Sequence, residues 1–337
     1  MKKFLIFIIS IWFIFLFSAL FFYLENPVLE NESNLAASYR HLVNLLKKSR
    51  TSEITIFAVG DIMLDRGVEY MIEKKGNGDF RFPFFKIADD LNKADILFGN
   101  LEGPISDKGK KIGSIYSFRM DPKAVEGLQY AGFDVLSLAN NHMFDYGRIA
   151  LEDTMKNLKD NGIEYVGAGY NKKEAFSPKI INIDGTKIGI LAYANLGPKN
   201  WQAKENDSGL AWLDLSDLVK IKKEIANVKD KVDVLIISLH SGEEYSHQPT
   251  YFQKVFARTC IEAGADIVIG HHPHVIQKVE KYKDGWIAYS LGNFVFDQTF
   301  SQDTMKGLLL EIKVRNGKIK RVEKKEVRIL ENFQVSI

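Results

Sequence analysis

Six apolar runs in this sequence stop at residues that bind metals or move protons. EITIFAVG (53–60) is followed by Asp61, ADILFGN (94–100) ends in Asn100 with Glu102 two places on, and FDVLSLAN (133–140) runs through Asn140 into Asn141 and His142. VDVLIISLH (232–240) ends in His240, ADIVIG (265–270) runs into His271, His272 and His274, and GWIAYSLG (285–292) leads to Asn293. Five of the seven histidines fall in this set, which ties them to strand ends rather than to a random surface distribution. Strands buried on both faces carry few ionisable groups along their length, so polar side chains collect where each strand stops. In open α/β sheets that edge is where ligands bind.

Each position taken singly has a plainer reading. Asp61 after Gly60 closes a turn or caps a helix, Asn140-Asn141 makes a strand-end turn, and His240 is a hydrogen-bonded core histidine. Together they favour a metal site. His272 and His274 flank Pro273 and, if extended, present both imidazoles to one side, with His271 packed or hydrogen-bonded behind them. Two divalent ions roughly 3.5 to 4 Å apart need a bridging carboxylate, further hard or borderline ligands and room for a shared water. Asp61 and Glu102 supply negative charge, Asn141 a neutral oxygen, and His240, His272 and His274 neutral nitrogens. Such a centre takes one or two ions of manganese, iron or zinc and acidifies water against an anionic ester. His142, better used off the metal, protonates the departing oxygen. The single cysteine, Cys260, excludes a disulfide framework and a cysteine-based zinc cluster.

Between these points strands alternate with helical patterns such as AVEGLQYAG and LEDTMKNLKDNG, which implies parallel strands with helices packed outside. Hairpins are expected around Asp184-Gly185, Asp284-Gly285 and Asn316-Gly317. The expected architecture is mixed α/β: two packed sheets, one richer in parallel strands, flanked by helices, within one domain over 53–337. At 337 residues and 46% hydrophobic composition the chain is long enough for such a core. A net charge of +2 with interleaved signs offers no basic block for tracking a phosphate backbone, so nucleic acid is excluded as the expected partner.

The amino terminus adds a location. Residues 4–24, FLIFIISIWFIFLFSALFFYL, carry no charge and follow Lys2 and Lys3. That run matches the roughly 20 residues needed to cross a bilayer, and the positive-inside rule leaves everything after Glu25 outside the cytoplasm. The alternative is a cleaved signal peptide, which has a shorter apolar core. Residues 25–52 read as a stalk with one short amphipathic helix.

The motifs GDIMLDR (60–66), GNLEGPI (99–105), LANNHMFDYG (138–147), LHSGEEY (239–245), GHHPHV (270–275) and YSLGNFVFD (289–297) resemble, in order, those of the CapA or PgsA family of poly-gamma-glutamate capsule biosynthesis proteins. That family is similar to the calcineurin-like metallophosphoesterases. The resemblance implies a four-layered fold and a role in synthesis, export or anchoring of an anionic polymer such as poly-gamma-glutamate, alongside other membrane subunits. It also implies roles: Asp61 as the aspartate of an opening Asp-x-His in which Met63 replaces the histidine, Glu102 near the bridging carboxylate, Asn141 as ligand and His142 as acid. His240 matches the isolated strand-end ligand, and His272 with His274 the closing pair. Ser241 stands where relatives often carry an aromatic residue.

Around this set, Arg66 grips a phosphate or carboxylate, or is a structural ion-pair partner. Glu244 orients His240, acts as a base, or is likewise structural. Asn293 and Asp297 face the crevice or serve a turn. Three functions remain open: a metal-dependent hydrolase, a non-catalytic polymer-binding subunit, and a metallophosphatase on an unrelated lipid-linked or nucleotide substrate.

Overall fold

A computed structural model describes residues 53–112 and 115–337. The expected membrane segment 4–24 and stalk 25–52 lie outside the described residues, and among the described residues no helix is long and apolar enough to cross a membrane. In chain order the first elements are β1 (Ile54–Ile62), α1 (Arg66–Gly76), α2 (Ala88–Leu91), β2 (Ile96–Leu101), α3 (Ala124–Ala131), β3 (Val135–Ser137), α4 (Arg148–Asp160) and β4 (Glu164–Val166). Next come β5 (Ala168–Gly169), α5 (Lys172–Ala175), β6 (Lys179–Ile183), β7 (Thr186–Ala194), β8 (Gly209–Leu210), α6 (Leu218–Lys229), β9 (Val234–His240) and α7 (Tyr251–Glu262). The last are β10 (Ile267–His271), β11 (Val279–Tyr282), β12 (Gly285–Ala288), β13 (Asn293–Val295), β14 (Lys306–Arg315), β15 (Lys318–Ile329) and β16 (Val335–Ser336).

Continuous apolar runs make the central strands buried on both faces, as in β1, β2, β9 and β10. One sheet has the order β16-β15-β14-β1-β2-β3-β4, with β13 also pairing β1; the second has β11-β12-β10-β9-β7-β6. The first is parallel from β1 to its β4 edge and antiparallel from β1 to β16, and the second has a parallel centre with an antiparallel hairpin at each margin, so the two differ less in parallel content than the sequence implies. Alternate side chains divide between layers. Ile56 and Phe98 of the first sheet meet Ile190, Ile236 and Ile269 of the second. Val59, Leu97 and Leu136 face Val68 and Ile72 of α1, Leu128 of α3 and Leu151 of α4. Leu235, Ile237 and Val268 face Ile225 of α6 and Phe256 of α7. The result is helix, sheet, sheet, helix.

The Asp184-Gly185 and Asn316-Gly317 turns form as expected, with all four residues in the left-handed region, φ 49 and 88° in the first and 53 and 67° in the second. The third turn differs. Tyr282 pairs with Gly285, so the turn residues are Lys283 and Asp284, and Gly285 opens β12. A Cβ on Gly285 would meet Ile261 Cδ1 at 2.6 Å, so this glycine serves contact with α7 rather than the turn.

Register brings the strand ends together. Asp61 pairs with Asn100 on one side and Asn293 on the other, and His271 pairs with His240 in the second sheet. Gly60 permits the first arrangement, since a Cβ there would lie 1.9 Å from Gly292 O.

Candidate metal centre

Asp61, Glu102, His240 and His274 converge where the two sheets meet, and all four are at most 2% exposed. Burying charge on this scale requires compensation. Asn100 Nδ2 donates to Asp61 Oδ1 (2.8 Å) and lies 3.4 Å from Glu102 Oε2 and 3.3 Å from His240 Nδ1. Asn140 Nδ2 in turn donates to Asn100 Oδ1 (3.2 Å) and to Leu101 O (2.7 Å). Asn141 Oδ1 is 2.7 Å from His240 Nε2. His274 spans the two carboxylates, with Nδ1 3.5 Å from Asp61 Oδ2 and Nε2 3.4 Å from Glu102 Oε1.

The histidine segment is not extended. His272 and His274 have φ of 97 and 58°, a conformation uncommon for side chains of this size, so the chain coils around Asp61 instead of running straight. His272 N donates to Asp61 Oδ2 (3.2 Å), and the His272 and His274 rings still converge, with centroids 5.8 Å apart. His271 is more than packing behind them: its Nδ1 lies 3.4 Å from Asp61 Oδ1.

Two sets of potential ligands have their donor atoms within 4.8 Å of one another, Asp61-Glu102-His240 and Glu102-His272-His274. Glu102 belongs to both, the position a bridging carboxylate takes. Glu102 Oε1 and His272 Nδ1 are buried and accept or donate no hydrogen bond, an arrangement that is costly unless a cation fills it. Nitrogen and oxygen donors without sulfur are compatible with divalent metal binding.

The electrostatics point the same way. Burial raises the Asp61 carboxyl, but His271 and His274 outweigh it and hold the group well below the usual range. Burial, then the Asp61 charge, push Glu102 well above it. Burial and His272 hold His240 well below the usual imidazole range, and burial and His274 bring His272 down to about 3. Against burial, Glu102 and Asp61 raise His274 to about 9. All five groups are thus displaced from their ordinary titration ranges, as is common at functional sites.

His142 stands beside this cluster and not within it. Its Nε2 is 3.8 Å from Glu102 Oε1, its ring lies 4.2 Å from that of Phe118, and its Nδ1 is 2.8 Å from Asp145 Oδ2. Asp145 also accepts from Phe118 N (2.8 Å) and is 3% exposed, so its carboxylate is fixed. The pairing puts the proton on His142 Nδ1 and leaves Nε2 toward the cluster.

Two expected placements do not form. Asn293 is buried: its Oδ1 is 2.9 Å from His274 Nδ1, and its Nδ2 donates to Gln298 Oε1 and Thr304 O, so it holds His274 and reaches no pocket. Glu244 does not orient His240, whose two nitrogens face Asn100 and Asn141; it lies exposed on the rim of an adjoining pocket of about 340 Å³. Arg66 lines the same pocket, but its Nε and Nη2 fork onto Asp297 at 3.1 and 2.8 Å. Met63 is fully buried, its Sδ accepting from Asp65 N, and is turned away from any ligand role.

Three contributors were not assigned a role from sequence. Asn100 and Asn140 stood at strand ends, but nothing in their spacing marked them as the amides that fix the carboxylates. Asp145 follows His142 by three residues within a turn, an acid-histidine spacing that was available as a signal.

Residues 55–298 match the family model described as bacterial capsule synthesis protein PGA_cap. The chain is 34% identical over 277 residues to the capsule biosynthesis protein CapA of Bacillus anthracis, covering 81% of this chain and 66% of that protein. It is 33% identical over 264 residues to the PGA biosynthesis protein CapA of Bacillus subtilis, covering 77% and 67%. The chain therefore spans about two thirds of the length of these curated relatives. In fold it is similar to a crystal structure of a phosphatase from Mycoplasma pneumoniae, with a TM-score of 0.51 and 13% identity over 82% of this chain and 94% of that one.

Proposed function

The chain belongs to the PGA_cap family of bacterial capsule synthesis proteins, and we propose that it acts in capsule polymer synthesis as a metal-dependent phosphoester hydrolase held at the outer face of the cell membrane. The observation that carries the hydrolase reading is Glu102, shared between two ligand sets whose remaining members are Asp61, His240, His272 and His274. These residues would hold divalent ions, manganese, iron or zinc, which when bound would neutralise substrate charge and acidify water. The chain's own residues do the rest. Asn141 borders both the cluster and the pocket, where it can orient an ester oxygen. His142, with Asp145 retaining its Nδ1 proton, presents Nε2 to donate a proton to the leaving oxygen. The polymer is an anionic one of the poly-gamma-glutamate kind, assembled with other membrane subunits. Support for this pathway comes from the names of the Bacillus relatives, and support for the location comes from the uncharged run 4–24.

The test is metal content by elemental analysis of the purified full chain, followed by hydrolysis of alkyl and aryl phosphoesters with and without His142→Ala. Metal bound in stoichiometric amount with no ester cleaved by the unsubstituted protein sinks the hydrolase reading. Burial of Met63 away from the cluster favours a second reading, a non-catalytic subunit that retains a weaker metal pocket to bind polymer. That reading requires polymer binding that is lost with Asp61→Ala while no ester is cleaved.

A further inference from the structure

The pocket beside the cluster has a wall that the metal chemistry does not use. Tyr245 has φ 62°, a conformation uncommon for a bulky side chain, and it is held there by its N–H donating to Pro273 O at 2.8 Å. Strain of this kind persists where the surroundings fix it, often at functional sites. The Tyr245 ring lies 6.2 Å from that of His274, and its hydroxyl accepts from Gln298 Nε2 at 3.2 Å. Phe300 meets it edge-on, with centroids 5.0 Å apart and planes at 89°. The two rings form a corner at the pocket mouth, yet Phe300 is 66% exposed and Tyr245 42%. A phenylalanine fixed against a neighbour but left mostly in water has an apolar face available for a ligand.

The polar groups around that corner narrow the ligand. Glu244, Gln298 and Thr299 line the same pocket and supply a carboxylate, an amide and a hydroxyl, so it offers both acceptors and donors. The Arg66 guanidinium is forked onto Asp297. At this corner, away from the cluster, a polycarboxylate chain would meet Glu244 as a like charge. A ring with apolar C–H faces and several hydroxyl groups would satisfy both the aromatic corner and the mixed polar rim.

We infer that this pocket is a saccharide subsite: the group esterified to the reacting phosphate carries a sugar ring that packs on Tyr245 and Phe300 and hydrogen-bonds Glu244 and Gln298. The inference narrows the phosphoester reading above and rests on it only for the position of the phosphate. It is tested by calorimetric titration of the metal-loaded full chain in detergent, carrying His142→Ala to suppress turnover. The probes are inorganic phosphate, glycerol 1-phosphate, α-glucose 1-phosphate, adenosine 5′-monophosphate and methyl α-glucoside. Glucose 1-phosphate is expected to bind about tenfold more tightly than glycerol 1-phosphate, a ratio that Phe300→Ala or Tyr245→Ala reduces about tenfold. Tyr245→Phe, which keeps the ring, is expected to retain most of that ratio. Equal affinities, tighter binding of the adenine nucleotide than of the sugar phosphate, or a ratio unmoved by Phe300→Ala each overturn the subsite. Failure of inorganic phosphate to bind counts against the phosphoester reading alone, because methyl α-glucoside then still reports on the subsite: binding that Phe300→Ala weakens upholds it, and no binding overturns it.

Discussion

Replacing Asp145 by asparagine separates the proton-donating role of His142 from its packing. The substitution keeps an oxygen that can accept from His142 Nδ1 and from Phe118 N, both 2.8 Å from Oδ2 in the native protein, and removes only the charge. A hydrogen bond to a charged group contributes about 1.5–3 kcal/mol, and a neutral acceptor supplies about half of that. The protonated imidazole therefore loses about 0.75–1.5 kcal/mol of support, which corresponds to a fall in kcat of about four- to twelvefold, about tenfold per 1.36 kcal/mol, where proton donation limits the rate. The assay is steady-state hydrolysis of two phosphoesters that differ in leaving group, an alkoxide and an acidic phenolate, with metal content and melting temperature measured on the same preparations. The alkyl ester should show the full loss, and the aryl ester, whose leaving oxygen departs unprotonated, little of it. An equal loss on both substrates would falsify the acid role and assign Asp145 to holding the Phe118 segment.

Asn100→Ala removes the amide that donates to Asp61 and faces His240, and is expected to weaken metal binding about 10- to 100-fold, read by competition with a chelating dye. Unchanged metal affinity would mean the carboxylates hold their geometry unaided. Gly60→Ala places a Cβ 1.9 Å from Gly292 O, and the overpacking should cost about 1–3 kcal/mol or more, seen as a lower melting temperature together with lost metal. Glu69, in the first turn of α1, is raised to about 7 by burial and then by Asp65, so the native state holds a proton there that the unfolded chain releases near 4.5. Stability from this group therefore falls as pH rises from about 4.5 to 7, and Glu69→Gln should flatten that slope in urea denaturation series; a slope identical to the native one rejects it.

The centre was legible where burial constrained the sequence and illegible where loops decided the outcome. Asp61, Glu102, His240 and the histidine cluster stood out because strands such as β1, β9 and β10 are buried along their whole length, so a polar group can enter only where the strand ends. Parallel pairing then does the assembling: once Asp61 is opposite Asn100 and His240 opposite His271, distant segments share one edge without further instruction. No comparable rule governs the connections. The positive φ of His272, His274 and Tyr245 belongs to residues for which sequence gives no warning, unlike the Asp184-Gly185 and Asn316-Gly317 turns. The side chains placed wrongly therefore hang from, or point into, such connections. Orienting His240 was one of the roles open to Glu244, but the loop after β9 turns outward through Gly242 (φ 132°) and Tyr245, carrying the carboxylate to the rim. Asn293 was expected in the crevice, but its pairing with Asp61 buries it behind His274. The same loops carry Tyr245 and Phe300, so the part of the site that selects a substrate is the part least constrained by the core. Relatives that share the strand-end ligands can therefore differ in what they bind, and substitutions in 241–250 and 297–304 should alter substrate preference while leaving metal content unchanged.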